Sequence, residues 1–190
     1  MNRARGAGRR AQGPAGHHLL RAAALVVIVL TVQGCGYHLV GVSNNLPANL
    51  KSLYVAPLVN QSARSEVDQR LTEQISQEWV RRARFQLVSS ADKADAVLSG
   101  TVKSAVVNPV QFDAQGRATQ YQLTVTVDIQ LVDRTREKPV VLWRDERFSR
   151  NNSYPVDPNA TNYFDREVEA MDTLARDMAR DLVTTILEGF

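Results

Sequence analysis

The chain has little of what enzymes and metal sites are built from. Its 190 residues hold one cysteine, Cys35, and three histidines. His17 and His18 lie near the start and His38 just after the cysteine. Beyond residue 38 there is neither thiol nor imidazole, which excludes Ser-His-Asp and Cys-His catalysis and any histidine-rich metal site there. One cysteine cannot form an internal disulfide, so packing alone must hold the fold. No glycine-rich phosphate loop precedes a helical pattern, and no Gly-x-Ser-x-Gly elbow occurs. The longest uncharged, mainly apolar run, Ala22–Val32, has eleven residues, with Thr31 among them. That falls short of the ~20 a membrane-spanning helix needs. Neither a catalytic residue, a cofactor nor a metal is expected.

What is present begins with charge of one sign. Arg3, Arg5, Arg9, Arg10 and Arg21 stand in or beside the first 21 residues with no acid among them. The apolar run follows, and Val32-Gln33-Gly34-Cys35 ends it. Positive segment, short apolar run and small residue at a cleavage point is the order of a secretory signal peptide. The tetrapeptide resembles the lipobox of bacterial lipoproteins. Its thiol would accept a diacylglycerol through a thioether, and Gly34 would let the peptidase close on the next bond. Val32 and Gln33 depart from the commonest residues at their positions. The alternative is a short anchor helix with a chance cysteine beside it. Arg9-Arg10 is followed by Ala-Gln-Gly-Pro, which does not support twin-arginine export.

The leader also explains the charge. The whole chain carries +3, but from Cys35 onward there are 18 basic and 20 acidic residues, a balance of −2. Nothing in that composition calls for nucleic acid. The 156 residues from Cys35 suit one domain with a real core. The expected organisation is a cleaved signal peptide over 1–34, a lipidated tether over 35–49 and a single domain over 50–190. Gly36, Gly41, Asn44, Asn45 and Pro47 break any regular pattern in the tether. Tyr37, His38 and Leu39 suit either the headgroup layer or packing on the domain.

The pattern then predicts a strand over 51–59, ended near Pro57. A helix over 65–82 follows, with Val67, Leu71, Ile75 and Trp79 as its stripe and Ser65 as N-cap. A short extended piece over 85–88 leads to a turn at 91–95 and a second strand over 96–107. Pro109 and Gly116 bracket a loop over 108–120. The clearest strand spans 121–131: Leu123, Val125, Val127, Ile129 and Leu131 alternate with polar residues, one face buried and one open. Val140 to Phe148 is its hairpin partner, and 151–158 reads as loop. A last helix over 163–187 carries the stripe Val168, Met171, Ala175, Met178, Leu182 and Ile186. The economical answer is an α+β fold, a roughly four-stranded, mostly antiparallel sheet with two helices packed on one face.

Few residues suggest chemistry. Asp92 and Asp95 read as turn residues beside a strand, and Trp79 and Trp143 as core. The polar face of the clearest strand offers Gln122, Thr124, Thr126 and Gln130 with only Asp128 charged. An ordinary water-exposed face has that composition, and so does a hydrated protein interface.

Several segments together carry a resemblance. They are Gly-Cys-Gly-Tyr-His-Leu-Val-Gly at 34–41, Leu53-Tyr54-Val55-Ala56-Pro57 with Asn60 following, and Ala94-Asp95-Ala96-Val97-Leu98-Ser99-Gly100. Tyr121-Gln122-Leu123-Thr124-Val125 and Leu142-Trp143 before Tyr154-Pro155 complete the set. The chain resembles LptE-type lipopolysaccharide-assembly lipoproteins over essentially all of its length after the leader. The resemblance implies a non-enzymatic protein at the outer membrane, lipidated on Cys35 and lodged in the lumen of the β-barrel LptD. There it would act as plug and assembly partner and help deliver lipopolysaccharide to the outer leaflet. Gly36, being other than Asp, fits forwarding to the outer membrane. Gln122, Thr124, Thr126 and Gln130 become candidates for the barrel contact. Arg117, Arg147 and Arg150 are candidates for lipopolysaccharide phosphates, by charge and loop position only; an exposed loop Arg is more often simply solvated. The rival readings are an adaptor of another cell-envelope complex and a membrane-anchored periplasmic enzyme. Fold class does not separate the adaptor from the first reading.

Overall fold

The computed structural model describes residues 46–157 and 163–188, with side chains in the second stretch from residue 165. The expected signal peptide over 1–34, Cys35 and the expected tether up to residue 45 lie outside the described residues. The chain is already part of the core at Leu46, which is buried along with Leu50 and Leu53.

Strand β1 (Ser52–Val55) is followed by a two-residue strand, β2 (Val59–Asn60). The single strand expected over 51–59 is therefore split, with Pro57 in the gap, where no ladder donor is required. Helix α1 (Val67–Arg82) buries Val67, Leu71, Ile75 and Trp79, the expected stripe. Its start differs from expectation. Ser65 is not the cap; Glu66 holds that position in the left-handed region at φ 65°, with no side-chain cap. Asn60 does the tying instead, donating from Nδ2 to Asp68 Oδ1 at 3.0 Å and to the Arg64 carbonyl at 2.7 Å.

Strand β3 (Gln86–Leu87) and a single 3-10 turn (Ala91–Lys93) lead to three long strands. These are β4 (Ala96–Phe112), β5 (Ala118–Asp133) and β6 (Val140–Pro155). Two expected loops are largely strand. The loop over 108–120 shrinks to a turn at 113–117, and residues 151–155 belong to β6. Pro109 is tolerated because β1 and β2 pair with β4 only at residues 96–98 and 101–102, and because the β4–β5 register shifts between Pro109 and Gln111. The turn closes on Asp113, whose carboxylate accepts the N–H groups of Gln115 and Arg117, and Gly116 supplies φ 77°.

Among the described residues the sheet has six strands in the order β3-β1-β4-β5-β6, with β2 also on β4. β4, β5 and β6 are antiparallel, whereas β1 runs parallel to both β3 and β4, and β2 parallel to β4. The α+β class holds, but the sheet is mixed rather than mostly antiparallel with four strands. The extra strands are two residues long, too short to show a period.

Helix α2 (Tyr163–Glu188) is 26 residues, roughly 39 Å. Its buried face is Ala170, Met171, Leu174, Ala175, Met178, Ala179, Leu182, Val183 and Ile186. Val168, expected on this stripe, is 47% exposed, and Ala170 and Met171 begin the buried face instead. The alanines let the helix sit close to its neighbours. α1 and α2 join through Arg70 to Asp172 and through Arg82 Nη2 to Thr184 Oγ1 at 2.7 Å. Both cover the sheet face formed by Leu98, Leu123, Val125, Val127, Ile129 and Leu131, each 2% exposed or less. Burying each such side chain contributes about 1.5–3 kcal/mol.

Candidate functional site

One sheet face is covered by the helices, and the other carries the even-numbered residues of β5. Cross-strand pairing extends this open face on both sides. Gln130, Asp128 and Thr126 stand opposite Ser99, Thr101 and Ser104 of β4. Gln122, Thr124 and Thr126 stand opposite Ser153, Asn151 and Ser149 of β6. The result is a surface mainly of hydroxyls and amides across three strands, interrupted by Val106, which stands opposite Thr124 and is 46% exposed.

These groups bond lightly to each other. Thr126 Oγ1 and Ser149 Oγ lie 3.1 Å apart, and Ser149 also donates to the Val125 carbonyl. Gln122 Nε2 reaches Ser153 Oγ at 3.4 Å and Asn151 Oδ1 at 3.5 Å, while Gln130 Nε2 reaches Ser99 Oγ at 3.5 Å. The long contacts leave capacity for outside partners. Charge on the face gathers in one group: Arg144, opposite Gln130, meets Asp128 with Nε at 3.3 Å and Nη2 at 3.1 Å, and reaches Glu146 at 3.4 Å. The bonds to Asp128 hold the Arg144 guanidinium above its usual value. The face is therefore largely uncharged and rich in hydrogen-bonding groups.

Gln122, Thr124, Thr126 and Gln130 are brought together as one row. Sequence reasoning missed the β6 half because Asn151-Asn152-Ser153 reads as loop. A signal was present: Phe148 and Tyr154 are buried, while Ser149, Asn151 and Ser153 alternate onto the other side.

The three arginines are not brought together. Arg117 ends the β4–β5 turn and bonds Asp113 Oδ2 through Nε at 2.8 Å. Hydrogen bonds from the Arg117 N–H and side chain hold the Asp113 carboxyl below the usual range against a smaller effect of burial. Arg147 is exposed at the β6 bulge opposite Asp128. Arg150 pairs with Val125 on the helix side, bonds Asp181 at 2.6 Å and lies 4.7 Å over the Phe148 ring. Arg117 and the Val125–Arg150 pair are eight residues apart along β5, about 26 Å. The turn carries another feature. Val110 and Phe112, inside the expected loop, are 47% and 55% exposed, an apolar tip on the hairpin.

A cleft of about 550 Å³ lies between residues 63–66 and the start of α2. Its charges pair among themselves, Arg64 with Glu167 and Arg70 with Glu66 and Asp172, which is a way of holding two helices together. Among the described residues no cluster of three or more His, Cys, Asp or Glu could hold a metal, and no helix is long and apolar enough to cross a membrane.

The profile of the lipopolysaccharide-assembly family LptE matches residues 50–187. No curated protein matches the chain in sequence. Among solved structures, a hypothetical protein from Chlamydia trachomatis is similar in fold, with TM-score 0.52 and 10% identity over 73% of this chain and 96% of that one. A minor lipoprotein from Acinetobacter baumannii gives TM-score 0.46 and 17% identity over 75% and 94%. Rare lipoprotein B from Shewanella oneidensis gives 0.43 and 18% over 73% and 92%.

Proposed function

This chain belongs to the LptE family of lipopolysaccharide-assembly proteins, and on that premise we propose that it is an outer-membrane lipoprotein that plugs the LptD β-barrel. In this reading it is anchored through Cys35, assembles with the barrel and assists delivery of lipopolysaccharide to the outer leaflet. The family match over most of the domain carries the reading.

The open face supports it. The inside of an outer-membrane barrel is polar and hydrated. A plug must exchange water for hydrogen bonds over a broad area without burying unpaired charge. A face rich in Thr, Ser, Gln and Asn, whose Asp128 is paired internally with Arg144, meets that requirement. Arg117, at the hairpin tip, is proposed to meet a lipopolysaccharide phosphate, where a guanidinium gains from charge-assisted bonds. Arg147 and Arg150 are further candidates; Arg117 and Arg150 would each have to exchange a carboxylate partner, Asp113 and Asp181, for the phosphate.

Co-purification from detergent-solubilised membranes tests the partnership. The parent should bring down a large β-barrel. Thr126→Trp places a bulky ring over the open face without entering the core and should lower that recovery at unchanged thermal stability. Undiminished recovery removes this face from the interface. If the parent recovers another envelope complex and no barrel, the chain is an adaptor of that complex instead.

A further inference from the structure

The edges of the sheet are not equally protected among the described residues. On the β1 side, β2 and β3 are two residues long each, too short to template a partner. On the other side β6 carries Arg144, Asp145, Glu146, Arg147 and Arg150, and its register slips between Asp145 and Phe148. Charged side chains and a bulge are how an edge is kept from pairing. The remaining edge is the later part of β4. β1 pairs with residues 96–98 and β2 with residues 101–102, and the strand runs on to Phe112 with no described strand on its outer side. From Ser104 to Phe112 there is no charged residue.

The direction of the backbone groups follows from alternation along the strand. The carbonyls of Leu98 and Val102 accept the N–H groups of Ala56 and Gln61 from the outer side. The bulge between Val102 and Ser104 shifts the count by one. Ala105, Val107 and Pro109 are therefore the next to turn outward. Ala105 and Val107 each offer an N–H and a carbonyl there, and Pro109 offers a carbonyl alone. The side chains beside this row are apolar. Val106 is exposed on the open face, Val107 packs at the margin of the core, and Val110 and Phe112 are exposed beyond. Donors and acceptors alternating over about 13 Å match one kind of ligand, another extended backbone.

We infer that β4 takes an added strand here, an extended and uncharged segment of the barrel partner that pairs with residues 105–109 and lays an aliphatic side chain against Val106. The inference rests on the plug reading for the identity of the partner. A closed barrel wall has no free strand to give, so the segment is a loop or terminal stretch of that chain lying in the lumen. The edge borders the open face, so wall contact and strand addition share one continuous surface. Backbone pairing would hold the plug in one register and cover an edge that is a hazard in the free protein.

The test compares the full chain alone with the detergent-purified complex, by amide hydrogen exchange and mass spectrometry. Assembly should slow exchange over 103–112 by roughly tenfold or more, and by less over 144–147 on the guarded edge. Two substitutions separate backbone from side chain. Val107→Ala removes packing and keeps the N–H. Val107→Pro removes the outward N–H as well and leaves the ladder to β5 intact. Val107→Pro should recover less barrel than Val107→Ala, on the order of tenfold, and melting curves check that both fold. Val106→Lys gives this edge the kind of charge that β6 carries and should also lower recovery, whereas Val106→Thr should not. Exchange over 103–112 that assembly leaves unchanged, or slows no more than over 144–147, overturns the proposal. Equal recovery by the two Val107 variants, or parental recovery by Val106→Lys, does the same. In each of these outcomes the parent still brings down the barrel and the plug reading stands; a parent that recovers no barrel overturns both.

Discussion

Gly100 is a position where one methyl group should be felt across the sheet. It faces Ile129 across the β4–β5 ladder, and a β-carbon there would stand 2.6 Å from the Asp128 carbonyl oxygen and 3.1 Å from Ile129 Cβ. The nearer atom is backbone in a central strand, so it cannot rotate aside. Gly100→Ala must push β4 and β5 apart locally, and overpacking of this kind costs about 1–3 kcal/mol. Lower entropy of the unfolded chain returns about 0.4–1 kcal/mol. The net expectation is a loss of about 1–2 kcal/mol, a melting point lower by roughly 2–8 °C for a domain of this size. Gly116 supplies the contrast. Its φ is 77° and nothing lies within 4 Å of an added β-carbon. Gly116→Ala should cost about 1–2 kcal/mol from backbone conformation alone, and Asn, which tolerates that region, should recover most of it. Asn at Gly100 should be worse than Ala. Thermal unfolding of the four variants decides the matter. A Gly100→Ala protein melting at or above the parent, or Asn rescuing at residue 100, would refute the steric argument.

Three further outcomes are expected. Val127→Asp places an unpaired charge at a site 2% exposed and should cost at least about 3 kcal/mol, whereas Thr126→Asp loses one hydroxyl contact and should stay within about 1 kcal/mol; equal urea midpoints would mean the faces are misassigned. Arg117→Glu should weaken binding of purified lipopolysaccharide severalfold while barrel recovery and melting stay put, and unchanged affinity removes Arg117 from the site. The N–H groups of Lys51 and Ser52 hold the Asp95 carboxyl below the usual range. Its stabilising effect is therefore present above the unfolded value near about 4, and is lost as pH falls through the lower folded value. Asp95→Asn should be less stable than the parent at pH 7, and the gap should narrow at pH 2–3. A gap independent of pH would show that the carboxylate charge plays no part.

The sequence made legible what repeats and obscured what does not. The period of two from Leu123 to Leu131 gave both the buried face and the row of Gln122, Thr124, Thr126 and Gln130, because a pleated strand leaves no other way to sort those side chains. Helix α1 showed its stripe but not its start, since Asn60 acts from a strand seven residues ahead, and no local pattern records that contact. Pro109 and the Asn151-Asn152-Ser153 run read as loop for good local reasons, and tertiary context overruled them: at 109 the strand has no partner on its outer side among the described residues, and the register slips. The lengthened strands carry the open face beyond β5 and push Val110 and Phe112 out at the hairpin tip. The bare edge of β4 was hidden in another way. Nothing within Ser104 to Pro109 tells an edge from a centre, because alternation sorts the two faces of a strand and is silent on its neighbours. What frees this stretch is that β2 ends at Asn60, whose side chain bonds Arg64 and Asp68 and turns the chain away into α1. The missing neighbour is decided at Asn60, so it is topology, and not the strand's own sequence, that leaves the backbone groups of Ala105 and Val107 facing outward.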